Sequence, residues 1–442
     1  MKRFFTAANM AYFLLFSFIA NSYLLIRQEP AVLWAMVPIF LWIILFAGIF
    51  CRDKLDLRWR ICRHGGILLE IFPLTLIPSV LYHGILAFFC FPADAWTWIW
   101  SAVFCICAEA ILFWIGILIV YCTSLQMGIK LRVVGALCGL IPVLNLIQLN
   151  KIIATVQKEI DGEIGRARLN AERKGERICA TKYPILLVHG VFFRDFKYFN
   201  YWGRIPRELE KNGARIFYGE HGSALSIRDS ARELTERIHR IVAETGCEKV
   251  NIIAHSKGGL DCRCAMAECG AAPYIASLTT VNTPHRGCLF ADRLLSTVPE
   301  EIQESIADAY NKTLRKLGDP SPDFLAAVRD LTSEACEKTD EAWPQPAGVF
   351  CQSIGSKLKR AKSGKFPLNF SYHLVKYFDG ANDGLVGEAS FSWGDRFRMF
   401  EPSGDAGISH SDIIDLGREN IDGFDVREMY VELVRDLKER GL

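Results

Sequence analysis

The sequence carries almost no net charge, formally +2 over 442 residues, and no basic stripe interleaved with aromatics. With no dense cationic face to displace counter-ions, a nucleic-acid partner is excluded. Metal-ligand spacing among the cysteines is missing as well. Eight of the fifteen follow residue 151 (Cys179, Cys247, Cys262, Cys264, Cys269, Cys288, Cys336 and Cys351), and the closest pair, Cys262-x-Cys264, is too tight for a zinc knuckle. Many thiols without a pairing framework fit a reducing compartment better than an oxidising one. Long apolar runs are scarce after position 150, so the 51% hydrophobic content is concentrated in the first third of the chain.

Those early runs lie at about 4–26, 30–50, 67–91 and 96–121, each near the roughly 20 residues needed to cross a hydrocarbon core. They predict an all-α transmembrane domain over 1–150 with four spans, multi-pass in the plasma membrane. A cleavable signal peptide fits the first run poorly because another span follows at once. Arg52, Lys54, Arg58, Arg60 and Arg63 separate runs two and three, whereas the loop at Asp94 has no base, which places the former loop and the amino terminus in the cytoplasm. A fifth stretch, 133–149, is short and broken by Gly135, Gly139 and Pro142. If it spans, the catalytic part lies outside; if it is re-entrant, that part stays inside. The basic linker expected over 151–180 and the free cysteines favour the cytoplasmic side. Glu70 and Glu109 fall within predicted spans, where a carboxylate is either functional or a hydrogen-bonded group near a helix end.

From Thr181 the pattern changes to short apolar strands alternating with amphipathic helices, which predicts an α/β domain with a mainly parallel sheet over 181–442. Strands are expected at 185–188, 216–218, 250–254, 278–281 and 349–353. A helix is expected over 227–245, with Ala231, Leu234, Ile238 and Ile241 on one face.

The strand at 250–254 runs into Ala254-His255-Ser256-Lys257-Gly258-Gly259 and then a helix-compatible stretch. This is a nucleophile elbow, a strained turn that needs very small residues two before and two after the serine. Ala254 stands where glycine is usual. Ser256 alternatively only caps a helix. The elbow requires a second backbone donor from an earlier strand-to-helix loop, and His189-Gly190-Val191 supplies one. The backbone amides of Val191 and Lys257 are therefore the expected oxyanion hole. His189 has no assigned acid–base role.

Chain order in such sites is serine, acid, histidine. Of the histidines after Ser256, His285 comes too early to leave room for an acid-bearing strand, and His373 has no acidic turn just upstream. His410 remains, with Asp383 upstream in Asn382-Asp383-Gly384-Leu385-Val386 and Asp379 as a substitute. In that assignment His410 takes the proton from Ser256, and Asp383 fixes its tautomer.

At these residues the chain resembles the bacterial triacylglycerol lipases of the Pseudomonas and Burkholderia type. The resemblance rests on His189-Gly190, Tyr201-Trp202, Ile205-Pro206, Asn212-Gly213-Ala214, the elbow, Thr283-Pro284-His285-Arg286-Gly287 and Asn382-Asp383-Gly384-Leu385-Val386, all in order over about 183–442. It implies an α/β-hydrolase fold with a helical lid at about 289–346, the triad Ser256, Asp383 and His410, the oxyanion donors Val191 and Lys257, and a lipid or acyl-ester substrate. It also implies a structural calcium near the catalytic histidine. Asp412 matches one ligand position, but 362–370 offers no second acid, so no cofactor is expected. Phe192, Phe193, Phe196 and Phe199 crowd the loop beside the oxyanion hole and are the expected acyl pocket. Acyl transfer by the same triad and a non-catalytic membrane scaffold remain as alternatives; protein partners are not indicated.

Overall fold

In the strand Ile185–Val188 (β1), Leu186 and Val188 enter one apolar cluster while Ile185 and Leu187 enter another. Both faces of the sheet are thus covered, which is why the strand is apolar without alternation. The computed structural model describes residues 7–50, 55–90, 94–139, 141, 143–191, 200–222, 224–316, 319 and 322–442. The chain divides into two units, Met1–Glu172 and Arg173–Leu442.

In the second unit the strands Ile216–Tyr218 (β2), Val250–His255 (β3), Ile275–Val281 (β4), Phe350–Ser356 (β5) and Arg396–Phe400 (β6) join β1 in the order β2-β1-β3-β4-β5-β6, with every pairing parallel. One face carries the helices Ile227–Thr245 and Lys257–Glu268, through Ile227, Leu234, Ile238, Leu260 and Ala265. The opposite face packs Leu209, Tyr430, Val431 and Val434 from the helices Ile205–Lys211 and Val426–Glu439. The α/β architecture with a parallel sheet expected from the pattern is present. Helix Ile227–Thr245 starts on Ser226, whose side chain accepts from the Asp229 amide, and stops at Gly246 with φ 67°. Between β4 and β5 lie the helices Leu289–Thr297, Glu300–Lys316, Phe324–Arg329 and Ser333–Ala342.

In the first unit, among the described residues, two helices are long and apolar enough to cross a membrane: Leu57–Phe89 and Ala95–Thr123. They approach closely where Gly65 faces Ile119 and Gly116 faces Leu69, small residues being what lets membrane helices meet. Of the four runs expected to span, two are matched by helices of spanning length among the described residues. The helices Ala7–Ala20 and Leu33–Phe46 have 14 residues each, about 21 Å of rise against roughly 30 Å of hydrocarbon. The first stops where the Ser22 hydroxyl turns back onto the Ile19 carbonyl at 2.7 Å.

The linker expected over 151–180 is also corrected. Residues up to 172 belong to the helix Leu144–Glu172, whose Ile152, Val156, Ile160 and Ile164 are buried within the first unit. Its bases lie on a helix with an apolar stripe, and Glu159 is fixed by accepting from the Ser124 hydroxyl and the Leu125 amide at 2.5 and 2.8 Å. Glu70 accepts from Gln157 at 2.7 Å and Glu109 from Thr75 at 2.9 Å, so both carboxylates of the expected spans are hydrogen-bonded.

Candidate active site

Parallel strands end at one edge of the sheet, and ligand sites of such sheets lie outside their carboxyl ends. Ser256 follows β3 directly and is held there by its amide, which donates to the Val281 carbonyl at the end of β4, 2.9 Å away. Its φ of 55° and ψ of −133° lie in a region that non-glycine residues rarely occupy, at a cost of about 1–3 kcal/mol. The turn aims the side chain off the sheet edge and starts the helix Lys257–Glu268, whose positive end faces the same space. Close packing enforces small neighbours. A Cβ at Gly258 would collide with the His189 carbonyl, and one at Gly190 would stand 2.7 Å from the Ser256 Cβ.

His189, Gly190 and Val191 follow β1, and Gly190 lies against Ser256. The Gly190 amide donates to the Tyr201 hydroxyl at 3.1 Å, and that hydroxyl is 2.6 Å from Nδ1 of His255. The pocket candidates Phe192, Phe193, Phe196 and Phe199 lie outside the described residues.

Asp383 and His410 come together from segments 27 residues apart: His410 Nδ1 is 2.6 Å from Asp383 Oδ2, and the His410 amide donates to the Asp383 carbonyl at 2.9 Å. Asp383 is fully buried. Its Oδ1 accepts the amides of Leu385 and Val386 at 2.9 and 2.8 Å, and Asn282 Nδ2 donates to Oδ2 at 2.6 Å. The substitute Asp379 is engaged elsewhere, accepting the amides of Leu289 and Phe290 at the start of a helix. The His410 ring packs on that of His255, the residue before Ser256, with centroids 4.4 Å apart. Burial, and then the nearby His410, hold His255 well below the usual histidine range. The Ser256 hydroxyl makes no hydrogen bond among the described residues.

His285, set aside on sequence order, is structural. Its Nε2 is 2.9 Å from the Thr280 hydroxyl and its Nδ1 3.2 Å from Arg263, and burial pushes its pKa far down.

Two features escape sequence reasoning. Asn282 orients the acid, and its place right after β4 is the signal that could have found it. The Lys257 side chain is buried: Nζ lies 2.5 Å from Asp261 Oδ1 and 3.1 Å from the Ser230 hydroxyl. Burial pushes the Asp261 carboxyl up to about 7 against the pull of Lys257. His221 Nε2 is 3.8 Å from Asp261, and its ring stacks on His189 at 4.0 Å. The i,i+4 spacing of Lys257 and Asp261 on one helix was visible in the sequence; their burial was not.

The residues around Asp412 do not fit a calcium ion. Asp412 Oδ2 accepts from the Ser409 hydroxyl and amide at 2.6 and 3.2 Å, bracing the loop before His410. Burial raises its pKa, while Ser409 and then the positive charge of Lys365 draw it down. Among the described residues no group of three or more His, Cys, Asp or Glu side chains could hold a metal.

No protein-family model matches the chain. The triacylglycerol lipase of Pseudarthrobacter phenanthrenivorans is 35% identical over 168 residues, 35% of this chain, and the chain spans about half of that relative, 52%. Among solved structures, the crystal structure of Staphylococcus hyicus lipase superposes with a TM-score of 0.45 at 18% identity, covering 59% of this chain and 97% of that one. The triacylglycerol lipase of Pseudomonas fragi is 30% identical over 297 residues, covering 59% of this chain and 98% of the relative. Matched across nearly the whole of that relative, the chain belongs to the triacylglycerol lipase family.

Proposed function

We propose that this chain is a membrane-anchored serine hydrolase that cleaves acyl esters of lipids through an acyl-enzyme. The observation that carries the proposal is the pairing of buried Asp383 with His410, whose ring packs on that of His255, the residue before a strained Ser256. In this reading His410 Nε2 accepts the Ser256 proton as Oγ attacks the ester carbonyl. The Val191 and Lys257 amides stabilise the oxyanion, and Asp383 stabilises the imidazolium. Collapse of the tetrahedral species breaks the ester C–O bond, and His410 returns the proton to the departing alkoxide. Water then attacks the acyl-enzyme by the same route and releases the fatty acid.

The helices between β4 and β5 act as the lid, and the exposed stripe Ile302, Ile306 and Tyr310 supports an apolar underside that opens toward lipid. The helices Leu57–Phe89 and Ala95–Thr123 support membrane anchoring. The thirteen described cysteines, all free, support a cytoplasmic catalytic unit.

The test is labelling of the purified full chain with a fluorophosphonate alongside hydrolysis of p-nitrophenyl acyl esters. Labelling at Ser256 and hydrolysis, both abolished by Ser256→Ala, are expected. Wild-type protein with neither activity overturns the proposal.

A further inference from the structure

Helix Leu368–Asp379 is apolar on two sides. Leu368, Tyr372 and Val375 are buried, as a surface helix requires. On the other side Phe370, Leu374 and Tyr377 repeat at i, i+4 and i+7, and Phe366, in the turn just before the helix, stands beside Phe370. Their exposures are 81% for Phe366, 71% for Phe370, 46% for Leu374 and 81% for Tyr377. The rings of Phe366 and Phe370 meet edge to face at 5.9 Å. A row of exposed, mostly aromatic side chains along one helix face and the turn before it is a patch that marks an interaction site.

Charge indicates what covers it. No acidic residue occurs between Glu341 and Asp379, whereas Lys357, Lys359, Arg360, Lys362, Lys365 and Lys376 lie within that stretch. Carboxylates from elsewhere pair with Lys357, Arg360 and Lys365. Lys362 and Lys376 pair with no carboxylate among the described residues, and Lys376 sits over the Tyr372 ring at 5.7 Å. An aromatic row flanked by unneutralised lysines is the composition of a helix that lies in the interface of an anionic membrane.

The helix is also wired to the site. Its last residue, Asp379, caps the first helix of the insertion between β4 and β5 through the Leu289 and Phe290 amides at 3.0 and 3.2 Å, and Asp383 follows four residues later.

We propose that the face bearing Phe366, Phe370, Leu374 and Tyr377 is a docking surface for an anionic lipid bilayer, seating the catalytic unit with its Asp383 and His410 loops at the lipid surface. The inference rests on the lipid-ester reading above for its purpose, though its physical test does not.

The full chain is reconstituted in vesicles of phosphatidylglycerol with phosphatidylcholine, or of phosphatidylcholine alone. Phe370→p-benzoylphenylalanine is irradiated, with Phe397→p-benzoylphenylalanine on β6 as control, and adducts are identified by mass. Lipid adducts at 370, several-fold more with phosphatidylglycerol and scarce at 397, are expected. Equal labelling at both positions, or crosslinks between two copies of the chain at 370, overturn the proposal.

In parallel, Phe366→Ser/Phe370→Ser/Tyr377→Ser lowers hydrolysis of a vesicle-borne ester about tenfold and leaves a soluble short-chain ester within about twofold. An equal fall on both substrates, or no fall on either, overturns it. Wild-type protein that forms lipid adducts at 370 yet hydrolyses neither ester sinks the catalytic reading and leaves the docking surface standing.

Discussion

Two hydrogen bonds join Asp383 to His410: the carboxylate meets the ring nitrogen at 2.6 Å, and the His410 amide donates to the Asp383 carbonyl at 2.9 Å. The backbone bond fixes where the imidazole starts and the side-chain bond fixes which nitrogen carries the proton, so Nε2 is left free for the proposed base role. In Asp383→Asn the oxygen that accepts from Leu385 and Val386 survives, and the new amide faces Nδ1 and imposes the wrong tautomer. Turnover of p-nitrophenyl butyrate is expected to fall about 10³–10⁴-fold with KM little changed. A fall below tenfold with the fold intact would remove Asp383 from the triad.

Gly190 and Ser256 are held so close that a methyl group on the former would stand 2.7 Å from the latter's Cβ. Gly190→Ala must push the oxyanion loop or the elbow aside, and a shift of about 1 Å there costs roughly 10²-fold in rate. Kinetics on a soluble ester with a melting scan alongside are the check. Wild-type turnover would mean that the loop after β1 is not part of the oxyanion hole.

Five of the six strands and the helix Ile227–Thr245 were legible in the sequence because their apolar periods are set by burial on one or both faces. Strand β6 was not: Arg396-Phe397-Arg398-Met399-Phe400 is an edge strand with only partly buried side chains, so no core pattern is written into it. Ser256, Asp383 and His410 were proposed from order and turn chemistry, and the structure pairs the last two. Asn282 and the Lys257 side chain were missed because their roles depend on contacts across 101 residues in one case and on depth of burial in the other. Hydropathy does not register where the backbone turns: apolar content continues through the helix break at Ser22.

Lys257 contributes its amide to the proposed oxyanion hole, while its side chain is neutralised by Asp261 out of contact with solvent. Removing one member strands the other charge, so Asp261→Asn is expected to cost about 3–5 kcal/mol of stability. Replacing the pair together, Lys257→Met/Asp261→Leu, should recover most of that loss, as apolar substitutes for buried pairs generally do. Because catalysis uses only the Lys257 backbone, the double variant should retain turnover of a soluble ester. Chemical denaturation and kinetics on the three proteins decide this. A folded but inactive double variant would give the ammonium a part in the reaction.

His255 and His285 are both buried and held neutral, with burial the largest cause and His410 or Arg263 adding to it. Their folded pKa values are depressed, so the stability they confer is complete above the unfolded value of about 6.5 and drains away as pH falls below it. Each such group contributes a slope of up to about 1.4 kcal/mol per pH unit in that range. Asp261, raised to about 7, runs the other way, because its protonated form is the one the fold prefers. His285→Gln isolates one imidazole from this balance. Its stability should fall less steeply than that of the wild type between about pH 6.5 and 5, by close to one proton's worth of slope. Denaturation midpoints of the full chain in detergent, taken at half-unit steps of pH, read the difference directly. Parallel curves for the two proteins would mean that His285 is protonated in the folded state, and the contact between its Nδ1 and the Arg263 guanidinium would then need another explanation.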